Sequence, residues 1–148
     1  MQLNSYLSFG GNCAEALDLY SNVFGGKIEY KMLYSDNKDM CKNLPANWQN
    51  KIMHASFRAG DIFFMASDVM EGSDGPCGKV KLVPEGTPIT LSLSFDSETE
   101  EAEVFNKLAQ GGKVTMPLQD TFWESRFGML TDKFGIKWMF SYDKSNKK

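Results

Sequence analysis

No run of about 18 apolar residues occurs in this sequence, so no membrane-spanning helix is expected. Its start, Met1-Gln2-Leu3-Asn4, lacks the basic and apolar regions of a signal peptide. Cysteine is scarce: Cys13, Cys41 and Cys77 make an odd count of three without C-x-x-C spacing. That excludes a disulfide framework and a zinc ribbon, and it suits a reducing cytoplasm, the expected location. Histidine is scarcer still, with His54 alone. The 16 basic and 19 acidic residues nearly balance at a net charge of −3. Without a basic stripe there is nothing to attract a phosphate backbone, so nucleic acid is not an expected partner.

What is present is repetition. Asn12 to Ile28 reads as a capped helix ending in Gly25-Gly26-Lys27. Glu101-Ala102 followed by Gly111-Gly112-Lys113 repeats that design. Glu101 lies 86 residues after Glu15, and Gly111 lies 86 residues after Gly25. The chain is therefore expected to contain the same small module twice.

Each copy reads as β-α-β-β-β. In the first, Leu3, Ser5, Leu7 and Phe9 alternate with Asn4, Tyr6 and Ser8, the period of a strand. Asn12 with Glu15 forms a capping-box-like pair, and Cys13, Ala16, Leu17, Tyr20, Val23 and Phe24 form an apolar helical stripe. Strands are then expected over 27–35, 51–58 and 61–68, the last two joined by the Ala59-Gly60-Asp61 hairpin signal. The polar 36–50 stretch, with Pro45, reads as a loop containing a helical turn.

In the second copy, Ile89, Leu91, Leu93 and Phe95 alternate with Thr90, Ser92 and Ser94. Ser97 with Glu100 caps a helix whose stripe is read as Ala102, Phe105, Leu108 and Ala109. Strands follow at 113–116, 127–131 and 136–142.

The organisation expected is α+β, a single domain over 1–143. It contains module 1 (1–69) and module 2 (88–143), a Gly/Pro-rich linker at 70–87, and a frayed tail at 144–148. One helix cannot cover both faces of a four-stranded sheet. If the modules pair, the uncovered faces enclose a cavity lined by Asn4, Tyr6, Ser8, Thr90, Ser92 and Ser94. Small hydroxyls and a few aromatics suit a small-molecule ligand rather than a packed core.

Three stretches carry a family likeness. These are Cys13-Ala14-Glu15-Ala16-Leu17 with Tyr20 and Gly25, His54-Ala55 before Gly60-Asp61, and Pro117 to Trp138. The last contains Phe122-Trp123, Arg126-Phe127-Gly128, Asp132, Phe134-Gly135 and Trp138. Together they resemble the PhnB-like branch of the vicinal oxygen chelate superfamily, which includes glyoxalases, bleomycin-resistance proteins and extradiol dioxygenases. The resemblance implies paired βαβββ modules and a cytoplasmic homodimer with cavities between sheets. Members are often labelled 3-demethylubiquinone 3-methyltransferase-like. Gly10-Gly11-Asn12 lacks the strand–glycine-loop–helix context in a parallel sheet that a cofactor of that class needs, and this weighs against the label.

The superfamily places His and Glu metal ligands on cavity-facing strands. The matching positions here are near Tyr6 (or Asn4), Met65, Thr90 and Met139, and none is His, Asp or Glu. No metal site and no other cofactor is therefore expected. His54 alternates with Ser56 and Arg58 opposite Ala55 and Phe57, as a structural strand histidine or as a cavity base or donor. Trp123 and Arg126, within Phe122 to Arg126, can stack on and orient a planar or anionic ligand. Alternatively, Trp123 packs across the dimer and Arg126 pairs with Asp120, Glu124 or Asp132. Asp120 with Glu124, Asp68 and Cys77 are weaker candidates.

The leading functional reading is metal-free binding of a small organic molecule by Tyr6, His54, Thr90, Trp123 and Arg126. The alternative is a lyase or isomerase with an unusual metal site, or with His54 as acid/base. Methyltransfer ranks below both.

Overall fold

The computed structural model describes residues 4–36, 44–69, 89–121 and 124–146. It divides into two compact units, Met1–Val83 and Pro84–Lys148, each with its own sheet and helix. The 70–87 stretch, Cys41, Cys77 and Trp123 lie outside the described residues. Among the described residues no helix is long and apolar enough to cross a membrane.

In the first unit, β1 (Ser5–Phe9) leads to α1 (Cys13–Phe24), then β2 (Lys27–Leu33), β3 (Ile52–Ala59) and β4 (Ile62–Asp68). The sheet order is β1-β4-β3-β2, with β1 parallel to β4 and the other pairs antiparallel. The second unit repeats this with β5 (Leu91–Phe95), α2 (Glu98–Ala109), β6 (Lys113–Asp120), β7 (Ser125–Thr131) and β8 (Lys137–Asp143). Its order is β5-β8-β7-β6, with β5 parallel to β8. Both units are thus βαβββ, as the repeat implies, and the fold is α+β.

The duplicated Gly-Gly does two jobs. Gly25 and Gly111 sit at φ 68° and 73°, the left-handed conformation that closes a helix without a Cβ penalty. The second glycine of each pair makes a close approach. A Cβ on Gly26 would meet the Arg58 carbonyl oxygen at 2.6 Å, and one on Gly112 would collide with the Thr131 carbonyl oxygen. Each helix therefore turns directly onto the sheet it covers.

The α1 stripe packs as expected, with Cys13, Ala16, Leu17, Tyr20 and Val23 buried. They meet Phe57 and Phe64, whose rings stack at 4.8 Å, and the Tyr20 ring sits edge-on to Phe64 at 5.7 Å. The α2 stripe is rotated from the expected one. Glu101, Val104, Phe105 and Leu108 are buried, whereas Ala102 and Ala109 are only half-buried. The period is helical, but a glutamate occupies the first position of the buried face.

Four boundaries differ from expectation by two residues or more, β7 among them, which begins at Ser125 rather than at 127. β2 stops at Leu33, because Tyr34–Asp36 forms a 3-10 turn in which Asp36 Oδ2 accepts from the Leu33 amide at 2.9 Å. β6 runs through Pro117 to Asp120; it is an edge strand, where the missing N–H of proline is tolerated, and its register shifts around Met116. β5 begins at Leu91, with Ile89 exposed outside it.

The N-terminus of α1 is not capped by Asn12, which makes no side-chain cap hydrogen bond. Asp68, at the end of β4, does this work from across the sheet. Its Oδ1 accepts from the Gly11 and Cys13 amides at 3.0 and 2.9 Å, and its Oδ2 accepts from the Ile52 amide at 2.9 Å. The carboxylate is 1% exposed and ties together the β1–α1 turn, the start of β3 and the end of β4. The second unit uses the expected local device, with Ser97 Oγ accepting from the Glu100 amide at 3.3 Å.

Asp68→Asn exchanges one acceptor oxygen for a donor facing a backbone N–H. It is expected to lower unfolding free energy by about 2–4 kcal/mol in urea titrations. Gly112→Ala is expected to cost about 1–3 kcal/mol by the same measurement, because its methyl group overlaps backbone that cannot move aside.

Candidate functional site

The face of the first sheet opposite α1 carries a row running across all four strands. Tyr6 pairs with Met65, Met65 with Ser56, and Ser56 with Tyr30. His54 and Met32 pair beside this row. Directly paired residues share a sheet face, so these six side chains form one patch. Leu7 and Phe9 take the other face of β1 and are buried under α1.

Tyr6 and Tyr30 are 47% and 48% exposed. They flank the histidine. The Tyr6 ring centroid lies 5.8 Å from that of His54, the Tyr30 centroid lies 6.0 Å away, and the Tyr6 hydroxyl is 3.1 Å from His54 Nδ1. At the rim, Arg58 is held by Glu29 at 2.9 Å and lies over the Phe63 ring at 4.7 Å. The patch thus offers flat aromatic surface, polarisable thioethers and one imidazole, on strands rather than loops.

Sequence reasoning found Tyr6 and His54 but missed Tyr30 and Met32. A register shift between Ile28 and Tyr30 changes which β2 residues share the face with His54, and simple alternation cannot locate such a shift.

On the opposite side of this sheet, Asp68 and Cys13 are not available as reactive groups. The Asp68 carboxylate is occupied by three backbone amides. Burial, assisted by the Asp68 charge, pushes the Cys13 thiol up to about 12, so it stays a neutral core group. The α1 N-terminus at Gly11 and Cys13 already holds that internal carboxylate, which leaves no phosphate site there.

In the second unit, Thr90 precedes β5 and is half-buried. Ser92, Met139, Met129 and Met116 form the cross-strand row on its open face. Arg126 does not join that row; it reaches to α2. Its Nη1 donates to Glu98 Oε1 at 2.9 Å, and its Nε lies 3.9 Å from Glu101 Oε2. The pairing with Asp120, Glu124 or Asp132 considered from sequence gives way to these helix glutamates. Arg126 also borders a groove of about 390 Å³ with Glu98, Thr99, Ala102, Glu103 and Asn106. Of the five expected ligand residues, Tyr6 and His54 meet. Thr90 and Arg126 belong to the other unit, and Trp123 is outside the described residues.

The donor set does not fit the metal that the superfamily's dioxygenases imply. Among the described residues no three His, Cys, Asp or Glu side chains cluster as ligands. Tyr6 and Met65 occupy paired positions on the open face, and phenol and thioether are poor partners for hard divalent ions.

Glu101 is fully buried and neither carboxylate oxygen accepts a hydrogen bond. Burial pushes its carboxyl up to about 7; the Arg126 charge opposes this, while Glu98 and Asp120 add to it. Since the folded value exceeds the ordinary 4.5, the folded state holds the proton longer than the unfolded chain. The contribution of Glu101 to stability is therefore full below about pH 4.5 and is lost as pH rises towards 7. Glu101→Gln is expected to remove this slope, gaining on the order of 3 kcal/mol over wild type above pH 7 in urea titrations.

Comparison with known proteins gives this architecture its place. The family model of the Glyoxalase/Bleomycin resistance protein/Dioxygenase superfamily matches residues 2–140. Protein YjdN of Escherichia coli K12 is 35% identical over 148 residues, covering 95% of both chains. Protein PA1353 from Pseudomonas aeruginosa is similar in structure, with a TM-score of 0.78, 38% identity and coverage of 97% and 98%. A PhnB protein from Bacillus cereus, described as a candidate 3-demethylubiquinone-9 3-methyltransferase, gives a TM-score of 0.74 with 27% identity and coverage of 96% and 99%. With two βαβββ units and a match across nearly its whole length, the chain belongs to the glyoxalase/bleomycin resistance protein/dioxygenase superfamily, and its relatives include YjdN- and PhnB-type proteins.

Proposed function

We propose that this chain binds a small, planar organic molecule on the open face of its first sheet, without a metal ion. One observation carries the reading: Tyr6 and Tyr30 stand half-exposed on either side of His54, on a sheet whose other face buries Leu7, Phe9, Ala55, Phe57, Phe64 and Ala66. With His54 between them the two rings form one contiguous patch rather than scattered exposed residues, and such a patch marks an interaction site. Met32 and Met65 beside them suit an adaptable rather than a narrowly shaped contact.

A thermal-shift screen of aromatic small molecules tests this, because a ligand bound only by the folded state raises Tm. Tyr6→Ala and Tyr30→Ala are each expected to remove most of the shift produced by wild-type ligands. The unliganded Tm should stay nearly constant, since both rings are half outside the packed core. Full shifts in both variants would place the ligand elsewhere.

A further inference from the structure

The partner of the Tyr6 hydroxyl fixes what His54 can offer a ligand. A phenol hydroxyl is a good donor and a poor acceptor, since its lone pair is delocalised into the ring, and an imidazole N–H is a far weaker acid than phenol. In the 3.1 Å contact between the Tyr6 hydroxyl and His54 Nδ1, the hydroxyl therefore donates and Nδ1 accepts. In a neutral imidazole the proton then resides on Nε2. No described residue pairs with Nε2. Two further strong donors share this face: Arg58, whose Nε donates to Glu29 at 2.9 Å and whose guanidinium lies over the Phe63 ring, and Lys27, paired with Arg58. Both stand at the rim, four residues along β3 from His54, whereas His54 lies between the two tyrosine rings.

We infer that His54 Nε2–H is the hydrogen-bond donor of the site, and that the ligand class is a planar aromatic ring bearing an acceptor oxygen, such as a phenolate or a quinone-type carbonyl. This rests on the binding reading above. Tyr6 acts as a positioning residue that holds the imidazole in one tautomer. The Tyr6 and Tyr30 rings and the Met32 and Met65 thioethers contact the ring of the ligand, and Nε2–H contacts its oxygen. A buried or half-buried donor left without a partner disfavours a ring that lacks that oxygen, so the donor supplies selectivity.

The test compares 4-nitrophenolate with nitrobenzene, which share a ring and differ in one anionic oxygen. Dissociation constants for both are measured by fluorescence quenching, at a mildly alkaline pH where 4-nitrophenol is ionised. His54→Leu is expected to weaken 4-nitrophenolate relative to nitrobenzene by about tenfold or more. His54→Gln, whose amide N–H₂ can stand near the Nε2 position, should restore most of that ratio. Nitrogen NMR of the sole histidine should show the proton on Nε2 in wild type, with this preference weakened in Tyr6→Phe.

An unchanged ratio in His54→Leu, with both probes still bound, overturns the donor assignment and leaves the binding reading standing. A wild-type proton found on Nδ1 overturns it as well. If neither probe binds wild type, the binding reading itself fails and takes this inference with it. Circular dichroism of each variant confirms that a lost ratio does not come from a lost fold.

Discussion

A helix of twelve residues is about 18 Å long and covers one face of a four-stranded sheet, no more. Each unit here has one such helix and one such sheet, so each keeps one face that its own core cannot bury. On the covered faces the packing is dense, with stacked Phe57 and Phe64 in one unit and Phe95 stacked on Phe140 at 5.8 Å in the other. The remaining faces are free to carry side chains chosen for something other than packing. In the first unit these are two tyrosines, a histidine and methionines, and in the second a serine and a row of three methionines. That geometric shortfall leaves these side chains outside the two cores.

Holding the open face flat requires the covered face to be fixed, and the two units do this differently. In the first, the buried carboxylate of Asp68 gathers three amides from segments far apart in the chain, and its own carbonyl accepts the Tyr34 hydroxyl at 2.7 Å. In the second, Asp132 performs a comparable task at the β7–β8 turn. Its Oδ1 accepts from the Phe134 and Ile136 amides at 2.9 and 3.0 Å, and its Oδ2 accepts from Trp138 Nε1 at 2.9 Å. Carboxylates satisfied in this way are costly to disturb and unavailable to a ligand. Asp68, a weaker functional candidate by sequence, and Asp132 are both structural by geometry.

Arg126 and Glu101 show the opposite case. Here a buried carboxylate lacks hydrogen bonds, and its nearby cation is engaged by the more exposed Glu98. The arrangement sacrifices stability near neutral pH, where Glu101 begins to ionise. Arg126 pairs with Tyr142 on the helix-covered face of its sheet, so strand alternation itself sets it apart from the methionine row.

The duplicated module, its helices, the α1 core stripe and the alternating faces of β1 and β5 were all legible in the sequence, because they are local. Periods of two and of 3.6, a serine before acidic residues and paired glycines each act within a few residues. Tyr6 and His54 could be named for the same reason, since each lies on the polar side of a readable strand. Their 3.1 Å contact could not, because it joins residues 48 apart through a sheet order that places β4 between β1 and β3. The cap supplied by Asp68, the burial of Glu101, the choice of Glu98 as the partner of Arg126 and the place of Tyr30 beside His54 also needed tertiary structure. Each depends on which segments lie side by side or on a register shift within a strand, and neither leaves a periodic trace in the chain.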